Sequence, residues 1–97
     1  MNSLEPNNVP PTAEQVRLIA LAASAAGDTA DAHYYMAELH LLRGDVIMAA
    51  DQLRLALSIP GLDSVQKARF TSRLAEIQEW LDRELRGRRQ QAAGGKQ

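Results

Sequence analysis

Cysteine is absent from the 97 residues, which excludes a disulfide scaffold, a thiolate zinc site and a thiol nucleophile but leaves the compartment open. No apolar run approaches the ~20 residues that span a bilayer, so no direct membrane insertion is expected. A strong charge of one sign is also lacking. Eleven basic and 12 acidic side chains leave a formal net charge of -1, too little field to draw in a phosphate backbone, and nucleic acid is not an expected partner. Residues 1–11 have no basic stretch followed by an apolar one, so they do not read as an export signal, and a domain belonging to a longer protein stays open. There is no His-Glu-x-x-His, no Gly-rich phosphate loop and no Ser, His and Asp at a spacing that supports a triad. The chain itself is therefore expected to be non-catalytic, with no cofactor of its own.

What is present is helix-forming sequence, 45% hydrophobic, in four blocks separated by Gly and Pro. Residues 1–11 carry three prolines and three asparagines and are expected to be a flexible linker. Thr12 with Gln15 fits a capping box, and Val16, Ile19, Ala20, Ala23 and Ala26 form one stripe of a first helix that ends near Gly27. A second helix is predicted from residue 30 or 31 to Arg43, with Gly44-Asp45 as its turn. The third runs over about 46–59, with Ala49, Ala50, Leu53, Ala56 and Leu57 on one face, and stops at Pro60-Gly61. So short a turn makes the second and third helices an antiparallel hairpin. Asp63 or Ser64 can cap a longer fourth helix reaching about Leu85, whose inward stripe is Phe70, Leu74, Ile77, Leu81 and Leu85. Residues 87–97 show no apolar periodicity and are expected to be a disordered tail. The fold class is all-α, about four helices in antiparallel hairpins, with the domain at 12–86.

In segment 30–61, Ala37, Gly44-Asp45, Ala49, Leu53 and Ala56 alternate small and large side chains about an interhelix turn, and Pro60 closes the unit. This pattern resembles a tetratricopeptide repeat, a helical hairpin of about 34 residues whose copies stack as a right-handed helical array. His33 and His40 stand where that repeat usually has tryptophan and tyrosine. A longer resemblance covers 31–81, through Ala32-His33-Tyr34-Tyr35-Met36-Ala37-Glu38, the run from Ala56 to Asp63, Gln66-Lys67-Ala68-Arg69 and Arg73-Leu74-Ala75-Glu76-Ile77. These residues are similar to the C-terminal repeat region of bacterial zinc metalloproteases that serve outer-membrane assembly quality control. The resemblance implies a non-catalytic protein-protein interaction module whose parent protein holds the zinc. It also implies a periplasmic setting and a ligand that is substrate, assembly machinery or the protein's own protease domain.

In tetratricopeptide arrays the positions matching Asp31, Tyr34, Glu38, Leu41 and Leu42 face a concave, peptide-holding groove, which makes these five the candidate protein-binding residues. The competing expectation is that Leu41 and Leu42 pack on the first helix and Tyr34 is an ordinary half-exposed aromatic. His33 and His40 share a helix face but lie about 10 Å apart along the axis, too far for one tetrahedral ion, so packing roles are expected. Arg83, Arg86, Arg88 and Arg89 suit a helix C-terminus and alternate with Asp82 and Glu84 as a solvated face. Asp28 and Asp31 read as caps. Trp80 borders the fourth stripe and could anchor a contact. The alternative function is structural self-association as a homo-oligomer, through Trp80 or surface left by missing neighbouring repeats.

Overall fold

The computed structural model describes residues 9–95, and side-chain environments as far as Arg89; residues 1–8 of the expected linker and residues 96–97 of the expected tail lie outside the described residues. Its helices are α1 (Ala13–Ala25), α2 (Thr29–Leu42), α3 (Val46–Leu57) and α4 (Ser64–Gly95), an all-α arrangement with no strand among the described residues.

Each start is set by a side chain that accepts from an otherwise unpaired N–H of the first turn. At α1 the capping box forms in both directions: Gln15 N donates to Thr12 Oγ1 at 3.1 Å, and Thr12 N to Gln15 Oε1 at 2.9 Å. Asp28 caps α2 and Asp45 caps α3 in the same manner, through the amides of Asp31 and Met48. At α4 the cap is Asp63, whose Oδ1 accepts from Gln66 N at 2.7 Å, so Ser64 is the first helical residue.

The first two turns repeat one device. Asp28 N reaches back to Ala23 O and Asp45 N to His40 O, five residues each, closing the turn around Gly27 and Gly44. The two glycines have φ of 84° and 79°, the left-handed region that a Cβ disfavours. A Gly-Asp pair thus ends one helix and caps the next within three residues, which holds α1, α2 and α3 as consecutive antiparallel neighbours.

The core follows the small and large alternation. Ala37 of α2 and Ala49, Leu53 and Ala56 of α3 are completely buried, and alanines at these sites let the two helices approach closely. Phe70 and Ile77 of α4 complete this cluster, with Leu74 and Leu81 partly buried beside it. On α1 only Val16 and Ala20 are fully buried; Ile19, expected on the inward stripe, is 42% exposed, because among the described residues α1 packs mainly on α2.

Two expectations about α4 change. Its inward stripe ends at Leu81, since Leu85 is 49% exposed. The helix also does not stop near Leu85 but continues to Gly95. Arg, Gln and Ala favour helix, no proline interrupts the run, and Gly87 costs only about 1 kcal/mol in an exposed helix interior.

Candidate protein-binding site

Four of the five groove candidates lie where α2 meets α4 or the cavities beside it, while Leu42 is 52% exposed and joins none of these contacts. At the start of α2, Asp31 Oδ1 accepts from Arg69 Nη2 at 3.0 Å and from Gln66 Nε2 at 3.2 Å. One turn on, the Tyr34 ring stacks against Phe70 with centroids 5.2 Å apart, and the Arg69 guanidinium lies 4.6 Å from the Tyr34 centroid. Another turn on, both oxygens of Glu38 are held by Arg73, at 2.7 Å from Nε and 3.1 Å from Nη2. The same guanidinium donates to Glu76 at 3.0 Å. The hydrogen bonds that Arg73 donates to Glu38 hold the guanidinium proton more tightly than usual; partial burial opposes this and Glu76 reinforces it.

Residues four apart on α4 thus clamp carboxylates seven apart on α2, so this face of α2 is partly covered by the chain's own last helix. Leu41 lines a depression with Val46, Ile77 and Trp80 and packs against the core cluster.

What stays open is a cleft of about 230 Å³ between α1 and the Arg69 end of α4, over the middle of α2. Val16 and Ile19 form one wall, Tyr34 and Tyr35 the floor, and Glu38 with Arg69 the other wall. Tyr35 meets Tyr34 edge to face, 5.1 Å between centroids and 84° between planes, which fixes two rings at right angles. The cleft can take an apolar side chain against two aromatics and offers hydrogen-bonding groups at its edge to a peptide backbone. Tyr34 and Glu38 are therefore brought together, and Asp31 braces Arg69 from behind. Tyr35, Ile19 and Arg69 were not among the candidates. Tyr35 is adjacent to Tyr34 and about 100° round the helix, and only the position of α1 brings it into the cleft beside Tyr34.

Partial burial, aided by the charge of Glu38 and opposed by Arg69 and Arg73, pushes the Tyr34 phenol above its ordinary value of 10.0. Folding therefore favours the protonated phenol; this contribution to stability is intact below the ordinary phenol value and is lost as pH rises through the folded one. In a Tyr35→Phe variant, ultraviolet titration of the one remaining tyrosine should give a midpoint above 10.0 that falls back towards the ordinary value in denaturant.

The histidines serve the hairpin. His33 Nδ1 lies 2.9 Å from Gln52 Oε1 and ties α2 to α3, and the His40 carbonyl accepts the amides of Arg43 and Asp45 at the turn. Among the described residues no three His, Asp or Glu side chains converge as a metal-holding group. Comparison with family models, with curated proteins and with solved structures finds no match to this chain.

Proposed function

We propose that this chain is a non-catalytic protein-interaction module, a tetratricopeptide-like hairpin flanked by one helix on each side, that holds a segment of another protein in the cleft at Tyr34 and Tyr35. The observation that carries the proposal is this cleft: it is apolar on its floor and one wall, charged on the other, and lined by α1, α2 and α4, with two ion pairs joining α2 to α4. The similarity of segment 31–81 to the repeat region of zinc metalloproteases supplies the class of partner: an unfolded outer-membrane substrate, assembly machinery, or the protease domain of the same protein. Zinc then belongs to that protease domain and to no residue of this chain.

The test is a binding titration of the chain against an isolated zinc metalloprotease domain of that family and, separately, against unfolded outer-membrane-type peptides. Tyr35→Ala should weaken whichever ligand binds by about tenfold, as expected for a half-buried aromatic at the centre of a contact. Its partner control, Met48→Ala on the outer side of α3, should leave affinity unchanged. Equal affinity of the parent chain and Tyr35→Ala for a bound ligand would remove the cleft from the account.

A further inference from the structure

α4 is 32 residues long, about 48 Å, whereas the α3 helix it packs on has 12 residues and spans about 18 Å. The last residue of α4 that reaches the core cluster is Leu81, and every residue from Asp82 to Arg89 is exposed. A helical projection of that kind is marginal in water unless its apolar side meets a partner. Here that side is present: Leu85 is 49% exposed, Trp80 42% and Ile47, across from them at the start of α3, 64%. They border two adjoining depressions of about 360 and 400 Å³ that share Val46 and Trp80 and have no lining residue in common with the Tyr34 cleft.

The charges of the projection point to its occupant. Glu79 and Asp82 come before Glu84 on this helix and Arg86, Arg88 and Arg89 after it, all exposed. The internal pairing is weak, Glu79 to Arg83 at 3.9 Å between side chains that are 71% and 58% exposed. A parallel copy would set like charge beside like charge. An antiparallel copy centred near Glu84 sets each basic stretch beside the other's acidic stretch, Asp82 opposite Arg86 and Glu79 opposite Arg89, with the Leu85 of each helix next to the axis.

We propose that two copies of this chain associate through the projecting half of α4, antiparallel about a two-fold axis near Glu84, with Trp80 and Leu85 buried between the copies. The proposal is independent of the cleft. Two such helix segments with the adjoining α3 ends bury on the order of 1,000 Å² in total, the lower limit for specific association, so a weak, reversible dimer is expected.

Sedimentation equilibrium of the full chain across micromolar to millimolar concentration tests it. The expected result is a reversible monomer to dimer transition, and Leu85→Glu should raise its dissociation constant at least tenfold while the circular dichroism melt stays within a few degrees, because Leu85 is outside the core cluster. The native chain has no cysteine, so orientation is read directly: Glu84→Cys should give a disulfide-linked dimer on mild oxidation, and Ser72→Cys, exposed on the core-packed half of α4, should not. A chain that stays monomeric to millimolar concentration, a dimer indifferent to Leu85→Glu, or cross-linking through Ser72→Cys in preference to Glu84→Cys would each overturn the proposal.

Discussion

Replacing Phe70 by alanine is expected to lower the unfolding free energy by about 3–5 kcal/mol, the largest loss available from one side chain in this domain. Phe70 is fully buried, stacks on Tyr34 and is the first α4 residue of the core cluster. The cavity left behind cannot collapse easily, since the surrounding small residues on α3, Ala49 and Ala56, belong to a close helix contact. A chain of this length has only about 5–10 kcal/mol of net stability, so the variant should be partly unfolded at 37 °C in urea-free buffer and show a clearly lowered midpoint in denaturant. Phe70→Leu, which keeps most of the apolar volume, should lose much less. Denaturation followed by circular dichroism checks both. A loss under about 1 kcal/mol for Phe70→Ala would mean that α4 is not part of the cooperative unit.

The second large effect comes from the opposite change. Ala49 and Ala37 are completely buried and belong to one core cluster with Phe70 and Ile77, so a larger side chain at either site must displace packed neighbours. Ala49→Leu should therefore destabilise by about 2–3 kcal/mol through overpacking, although leucine is more hydrophobic and an equally good helix former. Burial area alone predicts the reverse sign, which makes the sign itself informative. The neighbouring Met48→Leu, 47% exposed, should be close to neutral in the same denaturation experiment.

Helix positions and the α2 to α3 interface are legible in the sequence because they rest on local chemistry. Thr12, Asp28, Asp45 and Asp63 each cap through their own first turn, Gly27 and Gly44 each close one, and the alanines at 37, 49 and 56 mark close contact by size. The site is less legible because it depends on how helices distant in sequence meet. That Asp31 and Glu38 face inward to Arg69 and Arg73 across 38 and 35 residues follows only once α4 is laid along the hairpin. Ile19 shows the same limit. Its spacing from Val16 places it on an inward stripe, yet among the described residues α1 packs mainly on α2 and Ile19 becomes a cleft wall. The end of α4 differs for another reason: absence of an apolar stripe argues against packing, and Arg, Gln and Ala can hold a helix without it.

An amide NMR titration of the dilute, isotopically labelled chain with an isolated zinc metalloprotease domain and, separately, with unfolded outer-membrane-type peptides tests the interaction account most directly. The account predicts that Ile19, Tyr34, Tyr35 and Glu38 shift together on addition of one of these ligands, while α3 residues such as Met48 and Leu55 stay in place. Spectra that change only as the chain's own concentration rises, with the movement confined to the projecting half of α4, would contradict it and leave self-association as the role of the domain.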